Sequence, residues 1–305
     1  MIYGIKTIVK YLLGIDQAAR NFLIYPDDTF VVSYPKSGNT WTRFLIANLL
    51  HPTQPVTFAN IERLIPDTSS QSSRALKRIP RPRVIKSHEY FDPRYKRVIY
   101  IVRDPRDVAL SYYHFQRKSR HIEDNYPLES YVDDFVNGNL GSTEWGNWGE
   151  NVGSWLVTRW NSKNFLLLRY EDMLVNADRE LRRVASFLDI HITLQEIGLA
   201  IKSSSAPEMR SLERLESDQW CVTKHRRQDI PFVRSATSGG WKTDLPKNSV
   251  AKVEGAWGEL MLALGYELVS ASSRNPFPTL LPNLRKRCEG VEGDIVTAGQ
   301  EKIEL

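Results

Sequence analysis

The feature that most constrains this chain is a short loop, Tyr34–Trp41, between an apolar run and a helical pattern. The run Thr29–Ser33 predicts a buried strand, and apolar residues recur at helical spacing over Trp41–Leu50. Pro35 cannot donate to a strand ladder, so it ends the strand. Gly38 lets the backbone come close to a ligand. The sequence therefore places a tight turn between a buried strand and the start of a helix.

This loop has the physical layout of a phosphate or sulfate site. The first N–H groups of the helix and its dipole favour an anion, Thr40 can cap the helix, and Lys36 adds a positive charge. A Walker A motif carries its lysine after the second glycine, whereas Lys36 precedes the only glycine of this loop. The alternative interpretation is an ordinary strand-to-helix turn with a solvated lysine.

Composition narrows the class of protein. The 305 residues suffice for one large α/β domain or two small ones, and 41% hydrophobic and 25% charged residues are typical of a soluble globular protein. The net charge of +5 suits an anionic ligand but is too small to favour a nucleic acid partner. Two cysteines, Cys221 and Cys288, are too few for a disulfide framework, so we expect a reducing, cytoplasmic location.

Strand-like and helical segments alternate along the chain. This alternation predicts a single α/β domain over residues 1–270, with a central, mostly parallel sheet flanked by helices. The predicted strands are Thr29–Ser33, Arg83–Lys86, Val98–Val102 and Phe165–Leu168. The predicted helices are Trp41–Leu50, Val108–Gln116, Leu128–Val136, Val152–Asn161, Ala177–Leu188 and Val250–Leu264.

The remaining segments are predicted as loops or terminal extensions. Pro52–Pro82, Arg117–Tyr126 and Ser203–Gly240 are polar and irregular, and loops of that length are usually functional or disordered. Residues 1–15 carry apolar side chains at helical spacing, so we expect an amphipathic helix that packs on the domain and is too short to span a membrane. Residues 271–305 are predicted to form a poorly ordered tail.

Two further patterns place polar side chains at strand ends. Lys86 and His88 are two residues apart, so they point to the same side where the second strand ends, which is where α/β folds bind ligands. The alternative is a surface lysine beside an unremarkable histidine. Arg103 follows the third strand, and Ser111 lies about two helical turns further on; together they offer a forked and a neutral donor to a phosphate. The alternative is an ion pair between Arg103 and Asp107.

The sequence P-K-S-G-N-T-W at 35–41 resembles the phosphosulfate loop of the cytosolic-type sulfotransferases that use PAPS (3′-phosphoadenosine 5′-phosphosulfate). Four more segments are similar to motifs of that family, in the same order. They are K-S-H at 86–88, R-D-P-R-D-V-A-L-S at 103–111, Y-E-D at 170–172, and residues 234–242. The resemblance extends from about Thr29 to Lys242. It implies a P-loop-like α/β fold and transfer of a sulfuryl group from PAPS to a hydroxyl or amine of a small-molecule acceptor, without a metal.

The resemblance also implies residue roles. His88 would be the general base, Lys86 would contact the sulfuryl group, and Lys36 would stabilise charge on the leaving phosphate. Arg103 and Ser111 would bind the 3′-phosphate. The complete set implied to bind the donor is Lys36, Ser37, Gly38, Asn39, Thr40, Trp41, Arg103, Ser111, Tyr170, Ser204 and Arg234.

The chain departs from the family pattern at several positions. Ser235 and Ala236 replace the usual Lys-Gly, which removes a cation from the 3′-phosphate site. Ala206 replaces the aromatic residue that would stack on adenine, although Trp41 can supply a stacking face. The family's C-terminal dimerisation motif, K-x-x-x-T-V-x-x-x-E, is not matched at 242–254, which leaves the oligomeric state open.

Two other functions are consistent with parts of the sequence. A P-loop small-molecule kinase shares the strand, loop and helix, but the loop lacks the sequence G-K-[ST], in which a Ser or Thr after the lysine holds magnesium. A non-catalytic nucleotide-binding protein would not need both Lys86 and His88. The sequence does not identify the acceptor; Trp145 and Trp148 are candidates for its walls, whereas Trp155 is expected in the core.

The departure at Ser235 gives a first testable prediction, made with PAP, the desulfated product of PAPS. Arg234→Ala should weaken PAP binding about tenfold or more, because a charge-assisted hydrogen bond is lost where no neighbouring lysine shares the load. Ser235→Lys should strengthen PAP binding and leave AMP binding unchanged. Calorimetric titration with both ligands measures this, and an equal gain for AMP would separate the segment from the 3′-phosphate.

Overall fold

A parallel sheet lies at the centre of the computed structural model, which describes residues 17–140 and 145–270. Its strands are β1 (Thr29–Ser33), β2 (Val84–Ser87), β3 (Arg97–Val102) and β4 (Phe165–Arg169). They are ordered β2-β1-β3-β4, and every neighbouring pair is parallel. The carboxyl ends of all four strands therefore lie at one edge of the sheet.

Helices cover both faces of this sheet. The first half of the described chain forms α1 (Asn39–Leu50), α2 (Ile61–Leu64), α3 (Ser73–Lys77), α4 (Pro105–Lys118), α5 (Leu128–Asn137) and α6 (Trp148–Arg159). The second half forms α7 (Tyr170–Val175), α8 (Ala177–Leu188), α9 (Leu194–Ser203), α10 (Ala206–Glu216), α11 (Trp241–Asp244) and α12 (Lys247–Ala263).

The strand side chains alternate between two hydrophobic cores. Phe30 and Val32 of β1 face a core that α4, α5, α6 and α12 cover. Val31 faces the opposite core, which α1, α8 and α9 cover. Because both faces of the sheet are buried, its strands can be apolar without interruption, and this explains the continuous runs in the sequence.

The predicted single α/β domain with a central parallel sheet is confirmed. Each predicted strand and helix is present, with ends shifted by a few residues. Asp104 caps α4 as its sequence suggests, because its carboxylate accepts the Arg106 N–H at 2.9 Å and Pro105 follows.

Two of the predicted loops are wrong in part. Pro52–Pro82 contains α2 and α3, and Ser203–Gly240 contains α10. The sequence analysis also missed α9, although Thr193 and Glu196 form a capping box at its start. Helices α2 and α3 have only four and five residues and each buries one side chain, so they show no apolar periodicity. Helix α10 is polar and buries only Met209 and Glu213.

The predicted helix at 1–15 and the predicted tail at 271–305 lie outside the described residues, so the limits of the domain stay a prediction. None of the helices within 17–140 and 145–270 is long and apolar enough to cross a membrane.

The packing of α6 on α12 depends on a glycine. A Cβ atom at Gly149 would lie 2.5 Å from the indole of Trp257, the residue at which α12 is kinked. That indole also packs on Trp148, with ring centroids 5.3 Å apart. In contrast, Gly153 on the same helix has no atom within 4 Å of a Cβ position.

These two glycines form a matched pair for a stability test. Gly149→Ala should lower the free energy of unfolding by about 1–3 kcal/mol, because the added methyl group overpacks the indole. Gly153→Ala should raise it by up to about 1 kcal/mol, because alanine favours a helix interior. Urea unfolding of both variants checks this, and similar effects at the two sites would contradict it.

Candidate active site

A cavity of about 410 Å³ lies at the carboxyl edge of the sheet, where the segments that follow all four strands meet. The geometry brings most of the predicted site residues together. The predicted residues on its wall are Lys36, Gly38, Asn39, Thr40, Trp41, Lys86, His88, Arg103, Ser111, Tyr170 and Arg234.

Helix α1 begins two residues earlier than the sequence predicted, at Asn39 and not at Trp41. Gly38 is the N-terminal cap of α1, so Thr40 lies inside the first turn and is not the cap. Gly38 has a φ of 98°, a left-handed conformation that glycine adopts at low cost. A Cβ atom there would also collide with the ring of Tyr170. The glycine thus lets α1 start directly beside Tyr170, the residue that follows β4.

Two predicted donor-binding residues are not on the cavity wall. Ser37 and Ser204 are both fully buried. The hydroxyl of Ser204 accepts a hydrogen bond from Asn48 Nδ2 at 3.1 Å, because α9 packs its last turn against α1. The Ser37 hydroxyl has no hydrogen-bond partner in the described part of the chain. Their contacts with a donor stay a prediction.

Lys36 is the most perturbed cation of the site. Its ammonium lies over two aromatic rings, 4.5 Å from the centre of Phe115 and 4.1 Å from that of Phe232. Burial, aided by the positive charges of Arg103 and Arg234, lowers the pKa of Lys36 to about 7. An anion in the cavity would restore its charge.

Two arginines extend this positive field. Arg103 donates to the carbonyl oxygens of Lys36 at 3.3 Å and Thr237 at 3.0 Å, and its Nε is buried with no partner in the described chain. Arg234 donates to the carbonyl of Leu110 at 3.2 Å. Carbonyl oxygens are neutral acceptors, so both arginines keep a net charge to offer an anion.

Asp107 binds the backbone of the segment 234–242 and does not pair with Arg103. Its carboxylate accepts the backbone N–H groups of Gly239 at 2.7 Å and Trp241 at 3.0 Å. The alternative of an Arg103–Asp107 ion pair is therefore wrong. Nearby Ala236 has a φ of 54°, which explains why the resembled motif carries glycine there.

His88 is arranged as a base. Its Nδ1 lies 2.7 Å from the carbonyl oxygen of Ser33, which can only accept, so Nδ1 carries the proton and Nε2 is free. Burial, together with the positive charge of Lys86, lowers the pKa of His88 to about 3. The imidazole is therefore neutral at physiological pH.

Lys86 is held by a carboxylate that the sequence analysis missed. Its ammonium forms a buried ion pair with Asp67. Burial alone would raise the pKa of Asp67, but the charges of Lys86 and Arg43 outweigh it and hold that pKa well below its usual range. Asp67 lies in a segment predicted as a loop, and no local sequence signal indicates a contact across 19 residues.

The tryptophans considered as walls of an acceptor site differ in position. Trp145 lines the cavity and contacts His88, with ring centroids 5.4 Å apart. Trp148 and Trp155 are fully buried in the core, where α6 begins at Trp148 and turns it inward. Asn151 links this wall to the base: its Nδ2 donates to the carbonyls of His88 at 3.0 Å and Trp145 at 2.9 Å.

Comparison with known protein families identifies this arrangement. The model of the sulfotransferase domain matches residues 26–265. The chain belongs to the sulfotransferase family. It is 30% identical to the 3-beta-hydroxysteroid sulfotransferase of Cavia porcellus over 232 residues. This alignment covers 72% of this chain and 79% of the relative. It is 28% identical over 261 residues to Sulfotransferase 1B1 of Canis lupus familiaris, with 79% of this chain and 86% of the relative covered.

Solved structures share the fold of this sulfotransferase. A mouse sulfotransferase complexed with PAP superposes with a TM-score of 0.67 and 23% identity, over 90% of this chain and 92% of that one. A retinol dehydratase in complex with androsterone and PAP superposes with a TM-score of 0.66 and 20% identity. The superposition covers 86% of this chain and 88% of the dehydratase. The predicted family, the sulfotransferase activity and the donor PAPS are thereby confirmed, and the kinase alternative is not favoured.

The residues of the cavity fit such a donor. PAPS is polyanionic, and Lys36, Arg103 and Arg234 present charge that carboxylates in the described chain do not neutralise by direct ion pairs. Gly38 leaves room where a side chain would collide with Tyr170. The described residues contain no cluster of His, Cys, Asp and Glu that could hold a metal ion.

The low pKa of Lys36 generates a prediction on donor binding. Above pH 7 the free enzyme has a neutral Lys36, whereas bound PAP favours the charged form, so binding must take up a proton. PAP affinity should therefore fall as pH rises from 7 to 9, by up to about tenfold per pH unit. Calorimetry across this range measures the slope.

Two variants of Lys36 serve as controls for this slope. Lys36→Met should bind PAP more weakly at pH 7 and show a shallower slope, because no proton is taken up at this position. Lys36→Arg should keep its charge and lose less affinity at pH 9. A slope that persists unchanged in Lys36→Met would show that another group takes up the proton.

Proposed function

We propose that this sulfotransferase transfers the sulfuryl group of PAPS to a hydroxyl or amine of a small molecule, with His88 as general base and Lys36 and Lys86 as charge-stabilising groups. The observation that carries the proposal is the position of His88. Its unprotonated Nε2 belongs to the cavity that also holds the cationic loop after β1. The name of the Cavia porcellus relative, a hydroxysteroid sulfotransferase, supports a hydroxyl acceptor.

Bound PAPS supplies the sulfuryl group, whose transfer breaks the bond between sulfur and the bridging oxygen of the phosphosulfate and leaves PAP. His88 accepts the acceptor's proton at Nε2 as the acceptor oxygen or nitrogen bonds to sulfur. Lys36 and Lys86 stabilise negative charge around the reacting atoms. Asp67 holds Lys86 in place, and the Ser33 carbonyl fixes the tautomer of His88.

The low pKa of His88 keeps it unprotonated, but it also weakens the imidazole as a base. Part of that shift comes from the positive charge of Lys86. A donor anion next to Lys86 compensates this charge and raises the proton affinity of Nε2. The base is therefore strengthened when the donor is bound.

The finer features of this proposal concern setting and partners. The proposed donor-binding residues are those at 36–41, 103, 111, 170, 204 and 234, and the acceptor lies between His88 and Trp145. We propose a cytoplasmic location and a small-molecule acceptor, because the composition is that of a mildly basic globular enzyme with few cysteines.

A variant of the base tests this proposal. His88→Ala should lower PAPS-dependent sulfation of a phenol by about 10²-fold or more, because a positioned general base contributes that much. PAP affinity should stay within about threefold, because the base contacts the acceptor and not the nucleotide. Product formation with labelled PAPS and calorimetry with PAP measure the two effects.

Retained turnover in His88→Ala would exclude His88 as the base. Turnover of ATP with magnesium, without turnover of PAPS by the unmodified enzyme, would contradict the sulfotransferase function itself.

A further inference from the structure

Building on the proposed transfer from PAPS, we propose that the acceptor carries an oxyanion, such as a carboxylate, and that Arg226 binds this group. Arg226 would then determine acceptor specificity, beyond the residues that the family motifs contain.

Arg226 lies on the cavity wall, close to Lys36. It belongs to the segment between α10 and α11. Its guanidinium lies 4.4 Å from the ring centre of Phe115, the same ring that Lys36 contacts at 4.5 Å. The two cations therefore share one aromatic neighbour.

The guanidinium of Arg226 has no ionic partner in the structure. Its Nη1 is buried and makes no hydrogen bond, and within residues 17–140 and 145–270 no carboxylate forms an ion pair with it. By contrast, Arg227 pairs with Asp124 and Asp229, and Arg106 pairs with Asp104 and Glu254. A partly buried charge without a partner loses part of its hydration, and a bound anion would offset that loss.

Arg226 lines the same cavity as His88, the residue that faces the acceptor in the proposed function. Arg226 lies outside all the donor motifs, whose own cations are Lys36, Arg103 and Arg234. Cys221, five residues before Arg226, lies within electrostatic range of both Arg226 and Asp67, the partner of Lys86. An acceptor next to His88 would therefore come within reach of Arg226.

The backbone around Arg226 is anchored, so its side chain is not a loose surface arginine. Lys118 Nζ donates to the carbonyls of Arg227 at 2.8 Å and Ile230 at 2.6 Å, and the Arg227 N–H donates back to the Lys118 carbonyl at 3.1 Å. Lys118 is itself buried. These hydrogen bonds fix the backbone next to Arg226, from which its side chain extends.

Matched pairs of phenols test the proposal. The anions 4-hydroxybenzoate and 4-hydroxybenzenesulfonate are compared with their neutral partners, 4-hydroxybenzamide and 4-hydroxybenzenesulfonamide. The measurements are kcat/KM with PAPS and binding to the complex of the enzyme with PAP. We expect the unmodified enzyme to prefer at least one anion over its neutral partner by about tenfold to a hundredfold, the range of a charge-assisted hydrogen bond.

Variants then assign the preference to Arg226. Arg226→Gln should reduce it to about twofold or less while PAP affinity stays within about threefold, and Arg226→Lys should keep part of it. The matched control is Arg227→Gln, which removes the adjacent arginine and should leave the preference unchanged, because Arg227 points to Asp124 and Asp229.

Two results would overturn the proposal. One is that neither anion binds the PAP complex or reacts better than its neutral partner. The other is that Arg226→Gln loses PAP affinity to the same extent as anion preference, which would assign Arg226 to the donor. Failure of the proposed function is distinguishable from both, because PAP binding and sulfation of the neutral phenols do not depend on Arg226.

Discussion

The parallel register of the four strands is the constraint on which the site depends. Thr29 of β1 pairs with Val84 of β2 and Arg97 of β3, and Val98 of β3 pairs with Phe165 of β4. The strands therefore finish at nearly the same level, and the residue after each one enters a shared space. A slip of one residue would turn the side chains to the opposite face. The pairing of the strands thus brings the loop after β1 and His88 to the same edge of the sheet.

Charge compensation divides the cations of the cavity into two kinds. Lys86 has a full counter-charge in Asp67 and is fixed before any ligand arrives. Within the described residues, Arg103 and Arg234 donate only to carbonyl oxygens. When a phosphate replaces a carbonyl, a neutral hydrogen bond becomes a charge-assisted one, and the difference favours the bound state. The site thus resembles a preorganised receptor for anions more than a flexible surface patch.

Much of this arrangement could be predicted from the sequence because the signals are local. A proline and a glycine between a strand and a helix indicate the loop, and Lys86 and His88 are close enough along one strand end to share a side. The missing parts depend on distant contacts. Asp67 reaches Lys86 from another segment, and Arg226 enters the cavity only because α4 anchors its neighbour. The family pattern placed Ser204 in the donor site, whereas packing of α9 on α1 buries it.

The segment 227–241 runs along helix α4 and is bound to it at three places. At the start of the helix Asp107 binds the backbone at Gly239, in its middle Leu110 accepts from Arg234, and at its end Lys118 binds residues 227 and 230. The helix has 14 residues, so these anchors span on the order of 20 Å. The segment is attached at three separated points, and detachment at one end leaves the other attached. One helix therefore sets the alignment of three separated stretches of this segment with the strand ends.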